Sequence, residues 1–233
     1  MNQLLSAAKP LLPRSIRHSL GTRHRDFVFR RAMTRFLKNP GAHASHGSPV
    51  LRDLIYGWGN ETWSALDEYL AACISHALTT RGTILECGSG LSTLLVGAVA
   101  KMRGQRHVVL EHTSKWADKV QNYLDRYQLD SVILQSKPLK DYGEFYWYDV
   151  STEAMPDNVS LVICDGPPAD TKGGRYGLVP VMRERLKSGC LVLLDDAGRE
   201  QELATAKRWQ TELGGSLKVL GVAKPYIEIG VVA

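Results

Sequence analysis

The chain of 233 residues is 44% hydrophobic and 23% charged, a balance that suits one soluble domain with a sizeable core and excludes intrinsic disorder. No apolar run reaches the ~18 residues of a membrane span, since Leu91 to Ala100 stops at Lys101. Lys9, Pro10, Pro13 and Arg14 interrupt the N-terminus early, which argues against a secretory signal and for a cytoplasmic protein. Cys73, Cys87, Cys164 and Cys190 have no CxxC spacing, so neither a disulfide framework nor a zinc site is expected.

The net charge of +5 is concentrated at one end: residues 1–38 hold nine Lys or Arg against Asp26 alone, a net +8, and the rest of the chain is at −3. This segment reads as a basic helical arm, with Phe27, Phe29, Met33, Phe36 and Leu37 available to anchor it on the domain. Its charge also suits contact with nucleic acid or with an anionic membrane surface to which the protein would be peripheral, and an organelle transit peptide has a similar composition. Residues 39–50, NPGAHASHGSPV, read as a linker, which leaves 51–233 as the main domain.

Beyond the linker, Trp63, Leu66, Tyr69, Leu70, Cys73, Ile74, Ala77 and Leu78 recur at helical spacing, and Arg81-Gly82 ends the pattern. Strand-like runs follow at 83–87, 107–111, 131–135, 159–164 and 190–194, alternating with helical patterns at 92–103, 114–126, 176–187 and 200–213. Such alternation predicts an α/β sandwich of three layers, a mostly parallel sheet between helices. Ser216 to Gly221 and Tyr226 to Val232 are too close together for a crossover helix, so they predict a C-terminal antiparallel hairpin on a sheet of seven strands.

The first strand ends in Glu86-Cys-Gly88-Ser89-Gly90 and opens into a helix, a turn that lets backbone approach a ligand closely. Thr93 stands where a dinucleotide fingerprint has its third glycine, and Glu86 would repel a pyrophosphate but attract a cationic amino acid moiety. Glu111 ends the second strand, where a carboxylate can accept both hydroxyls of a ribose.

Together Glu86-x-Gly88-x-Gly90 and Glu111 resemble the cofactor site of the class I S-adenosylmethionine-dependent methyltransferases, over about residues 60 to 233. The resemblance implies a Rossmann-like fold and methyl transfer from S-adenosyl-L-methionine. It places Glu86, Gly88, Ser89 and Gly90 at the methionine part, Glu111 at the ribose and Gln135-Ser136 near the adenine. The fourth strand runs into Asp165 and the fifth into Asp195-Asp196, so three carboxylates should meet at one rim. This looks like the metal-dependent O-methyltransferases of the catechol and macrocin or novobiocin types, where such acids hold Mg²⁺. The competing reading has Asp165 orienting a ligand and the Asp pair capping the next helix. Pro167 and Pro168 stand where those families carry a base; Lys172 is a candidate in the following loop. Arg175 and Arg199 flank the rim as candidate clamps for an anionic substrate group. Trp58, Asn60 and Tyr148 are candidate walls of an acceptor pocket.

The expectation is therefore O-methylation of a small-molecule or sugar-type acceptor, with Asp165 and Lys172 as catalytic candidates and a homodimer as a candidate assembly. The alternatives are an RNA or protein methyltransferase that docks its substrate on the basic arm, and a non-catalytic cofactor-binding protein.

Overall fold

The computed structural model describes residues 14–60 and 65–232, with side chains from Leu20 onward. Trp63 and the first thirteen residues of the arm lie outside the described residues. Two helices precede the alternating region, α1 (Arg14–Lys38) and α2 (Pro49–Trp58), and α3 (Asp67–Thr79) leads into it. The sheet then builds as β1 (Thr83–Cys87), α4 (Leu91–Arg103), β2 (His107–Glu111), α5 (Ser114–Arg126) and β3 (Val132–Ser136). A small antiparallel hairpin, β4 (Leu139–Asp141) with β5 (Tyr146–Tyr148), intervenes before β6 (Val159–Cys164). The chain finishes with α6 (Leu178–Met182), β7 (Leu186–Leu194), α7 (Glu200–Leu213), β8 (Leu217–Leu220) and β9 (Tyr226–Gly230).

The main sheet has seven strands in the order β3-β2-β1-β6-β7-β9-β8. The first five are parallel, and β9 pairs antiparallel with both β7 and β8. The strand order reverses between β1 and β6, so the crevice that binds ligands in open α/β sheets falls at their carboxyl ends.

Successive residues of the central strands face alternate cores, with the two-residue period of a strand. Ile84, Leu161, Ile163 and Leu193 face a core shared with α1 to α5. Leu85, Cys87, Val162, Cys164, Val192 and Leu194 face the opposite core, which β4–β5, α6 and α7 close with Trp147 and Trp209. All four cysteines are free and buried, as small hydrophobes.

The described part of the arm is built into the first of these cores. Phe29, Ala32, Met33 and Phe36 are buried at a spacing of three to four residues, whereas Phe27 is 58% exposed and Leu37 also faces outward. Gly57 permits this packing, because a Cβ there would lie 2.6 Å from Phe29 Cβ. Residues 39–50 are a structured connection: Pro40–His43 form one 3₁₀ turn, Pro40, Ser48 and Val50 are buried, and Pro49 opens α2. The helix expected at 176–187 is shorter than its pattern. Pro180 sits within α6, Arg183–Arg185 form a 3₁₀ turn, and β7 begins at Leu186. Among the described residues, no helix is long and apolar enough to cross a membrane.

Candidate functional site

A cavity of about 730 Å³ opens at the carboxyl ends of β1, β2, β6 and β7. Gly88, Ser89, Gly90 and Glu111 line one end, Asp165, Asp196, Arg199 and Lys224 the other, and Trp58, Trp116 and Tyr148 are among its walls.

The glycine turn is shaped by two different demands. Gly88 has φ +85°, and a Cβ there would stand 2.8 Å from Gly166 N, so the β6 loop could not pass so close to any other residue. Gly90 has an extended backbone (φ −178°) that any residue can adopt, and a Cβ there would meet nothing within 4 Å. No protein neighbour requires a glycine at 90; the open space belongs to the cavity. The N–H groups of this turn are already engaged: Gly90 N–H donates to Thr93 Oγ1 at 2.9 Å and Ser89 N–H to Glu111 Oε2 at 2.9 Å. A pyrophosphate cradle needs those donors free, so Thr93 in place of a third glycine changes the chemistry of the turn.

Glu111 accepts from Ser89 Oγ (2.9 Å), from Thr113 N (2.9 Å) and lies 3.1 Å from His112 Nδ1. Burial opposes its charge, but the hydrogen bonds from His112, Thr113 and Ser89 outweigh it and hold the carboxyl below the usual range. It therefore faces the cavity as a carboxylate. The Ser89 hydroxyl and the His112 ring are side chains that can turn aside for hydroxyls of a ligand. Trp116 Nε1 donates to Ser89 O at 2.7 Å, which fixes the indole as a wall beside the turn, and Lys119 covers its outer face with its ammonium 4.2 Å from the ring centre.

Glu86 lies elsewhere. It shares the β1 face of Ile84, beneath α4, where Ser92 Oγ donates to it at 2.5 Å and His107 Nε2 stands 2.9 Å away. All three are buried, so Glu86 supports the turn from behind and does not line the cavity. Gln135 and Ser136 end β3 but do not line it either. Lys172, the candidate base, does not line the cavity: its ammonium lies over the Tyr146 ring and 3.9 Å from Asp141.

The three aspartates do converge, with one carboxylate oxygen of each within 4.8 Å of the others. Asp165 and Asp196 line the cavity, and Asp195 is buried just behind them. Neither Asp195 nor Asp196 caps α7. Asp196, in the left-handed backbone region at φ +63°, turns its carboxylate to Arg175, Arg199 and Lys224 at 2.9 Å each. Lys224 Nζ also lies 2.6 Å from Asp195 Oδ2.

Arg175, expected to clamp a substrate, is 3% exposed and donates to Asp165 Oδ1 (3.1 Å), Asp165 O (2.9 Å), Asp195 O (2.8 Å) and Asp196 Oδ2 (2.9 Å). Both of its terminal nitrogens serve the protein; Arg175 and Arg199 both line the cavity, and Arg199, half-exposed at the rim, is the more accessible guanidinium. Buried Glu202 adds a fourth acid, 4.0 Å from Arg175 Nε and 3.7 Å from Arg199 Nη1.

Charge in this cluster is held by side chains. Burial and the Asp195 carboxylate push the Asp165 carboxyl up to about 7, against Arg175 and Lys224. Burial likewise raises Asp195 in spite of Lys224. Burial works against Asp196 too, but Arg175 and Lys224 prevail and hold it low. A divalent ion does not fit this arrangement as it stands: Asp195 Oδ2 and Asp196 Oδ1 share an ammonium, Asp165 Oδ1 is on a guanidinium, and the ion would add charge beside three cations. Lys224, His112 and Trp116 were not singled out by their sequence context. Trp116 carried a usable signal, as the first apolar residue of a helix starting directly after a strand-end acid.

Neither a family model nor a curated protein matches the chain. Solved structures do. A Podospora anserina methyltransferase, PaMTH1, bound to S-adenosylhomocysteine, aligns with a TM-score of 0.58 at 16% identity, covering 75% of this chain and 82% of that one. The precorrin-6y C5,15-methyltransferase of Geobacter metallireducens gives 0.56 at 16% identity over 74% and 92%. A Staphylococcus aureus protein assigned as a caffeoyl-CoA O-methyltransferase gives 0.57 at 14% over 84% and 98%. At such identities the likeness is one of architecture, and it agrees with the strand order and crevice described above: this chain has the Rossmann-like fold of the class I S-adenosylmethionine-dependent methyltransferases.

Proposed function

We propose that the protein transfers the methyl group of S-adenosylmethionine to an oxygen of a small acceptor seated at the Asp165 end of the cavity. The observation that carries this reading is the unfilled space over Gly90 beside the Glu111 carboxylate. The buried Tyr148 hydroxyl, which has no partner among the described residues, supports a ligand in the same cavity. When bound, the cofactor supplies a sulfonium methyl. Glu111 accepts the ribose hydroxyls, and Trp116 and Tyr148 shield the cofactor from water. Asp165, with its carboxyl near 7, is partly ionised at neutral pH and can take the proton that an acceptor hydroxyl must lose. Arg199 and Lys224 lie on the same rim and lower the cost of negative charge on that oxygen. In-line alignment of oxygen, methyl and sulfur is the remaining contribution of the cavity.

Calorimetry tests the reading: S-adenosylhomocysteine binds and NAD does not, and binding of NAD with comparable affinity refutes it. Methyl transfer from labelled cofactor to a panel of hydroxylated compounds then identifies the acceptor. A macromolecular acceptor is the second reading, favoured by Arg23, Arg30, Arg31 and Lys38, exposed on α1. Salt-dependent RNA retention by the full chain, lost on replacing these four by Ala, supports that reading.

A further inference from the structure

We infer that the ε-ammonium of Lys224 is the resident cation of the aspartate cluster, filling the position that three convergent carboxylates would otherwise offer to a divalent ion. Oxygens of Asp165, Asp195 and Asp196 within 4.8 Å of one another are close enough to share one hard cation. Two of these residues already share one: Lys224 Nζ is 2.6 Å from Asp195 Oδ2 and 2.9 Å from Asp196 Oδ1. The third is turned to Arg175, whose Nη2 is 3.1 Å from Asp165 Oδ1. A magnesium ion needs about six oxygens at about 2.0–2.1 Å in near-octahedral array, and Nζ already occupies Asp195 Oδ2 and Asp196 Oδ1, which leaves Asp195 Oδ1 as a buried oxygen of the cluster without a partner among the described residues.

The backbone holds the lysine there. Lys224 sits in the turn between β8 and β9, and that turn is tied down on both sides. Pro225 O accepts from Ala197 N at 2.8 Å, next to Asp196. On the other side, Glu68 of α3 accepts from Val222 N (3.0 Å) and Ala223 N (2.9 Å). The turn thus delivers an ammonium to the acids at a fixed depth. An ammonium is a compact point charge with three donors, so it can bridge two carboxylates as a small ion does while bringing one positive charge instead of two. With Arg175 and Arg199 it sets three cations against Asp165, Asp195, Asp196 and Glu202, leaving one unit of negative charge that a single proton can neutralise.

The test needs neither acceptor nor methyl transfer, so it stands or falls apart from the proposed activity. Mn²⁺ is titrated into the full-length protein and followed by electron paramagnetic resonance. The wild-type chain is expected to leave Mn²⁺ free up to ~1 mM, the weak end of carboxylate sites, and to melt at the same temperature with and without EDTA. Lys224→Ala is expected to gain one site at least tenfold tighter, and Lys224→Arg to stay metal-free. Adding Asp195→Asn to Lys224→Ala should abolish the gained site. Stoichiometric Mn²⁺ binding by the wild-type chain that Asp195→Asn removes would overturn the inference, and so would a folded Lys224→Ala that binds none. If Lys224→Ala does not fold, the wild-type titration and the EDTA melt still decide.

Discussion

Replacing Arg175 by leucine should expose how much of the fold depends on the buried charges at the strand ends. The guanidinium is 3% exposed and makes contacts of 2.8–3.1 Å with Asp165, Asp195 and Asp196, so solvent screens these interactions little. Removing one partner of a buried ionic cluster costs about 3–5 kcal/mol, because carboxylates and carbonyls are left without donors. The loss should depend on pH. In the wild-type protein the Asp165 carboxyl, at about 7, holds a proton that the unfolded chain releases, so this group's contribution falls as pH rises to about 7. Asp196 acts in the opposite sense: its depressed value stabilises the fold at higher pH and is lost in acid. Without Arg175, Asp165 rises further and Asp196 keeps only the part of its depression that Lys224 supplies, so the native carboxyls of the variant bind protons more readily than those of the wild type. The deficit of the variant is then greatest near about pH 8 and shrinks towards about pH 5. Urea unfolding of both proteins at the two pH values measures it. A deficit under ~1 kcal/mol at both would mean that the cluster is effectively solvated, and the electrostatic account of the site would fail.

Gly90→Leu should leave the melting temperature within a few degrees of wild type, since no atom lies within 4 Å of its Cβ, yet abolish S-adenosylhomocysteine binding in calorimetry. Glu111→Gln should weaken that binding by about 10- to 100-fold, the loss of charged hydrogen bonds worth about 1.5–3 kcal/mol; unchanged affinity would move the ribose elsewhere. Phe29→Ala should cost about 3–5 kcal/mol in denaturant unfolding, although it lies in the basic arm, because its ring is buried against Trp58, Tyr123 and Tyr127. For the same reason RNA binding is better probed by surface Arg→Ala changes than by deleting residues 1–38.

The parallel strands were legible because β1, β2, β6 and the second half of β7 are buried on both faces and read as short apolar runs, and because three of the runs end in an acid at the crevice; edge strand β3 is only half-buried but keeps the apolar Val132, Ile133 and Leu134. Their helices followed from periodicity, as in α5, where Ala117, Val120 and Leu124 are buried. Helix α2 was harder to see, since the Gly, Pro, Ser and His of 39–50 resemble a linker; Ser48-Pro49 followed by Val50, Leu51, Leu54 and Trp58 is nonetheless a helix start with a helical stripe. At the site, strand ends place Glu111 and Asp165 on the cavity, but alternation along β1 sends Glu86 to the other side of the turn. The position of an acid in a motif does not specify which face its side chain takes. Lys224 left no sequence trace, because a lysine in a hairpin turn ordinarily lies in solvent, and only its tertiary ties to α3 and the segment after β7 bring it inward.

The inside position of β9 has a consequence for biosynthesis. During translation β8 emerges before β9, yet β9 is the strand that pairs with β7. The parallel half of the sheet can therefore assemble on the ribosome with the β7 edge open, and β8 has no place to dock until its successor has emerged. Throughout that interval Asp195 and Asp196 have been made while Lys224 has not. Arg175 and Arg199 are already present to pair with Asp165 and Asp196, but the Asp195 carboxylate still lacks the ammonium it meets in the folded protein, and its charge at the open β7 edge disfavours premature edge-to-edge association between neighbouring nascent chains until the hairpin closes the sheet.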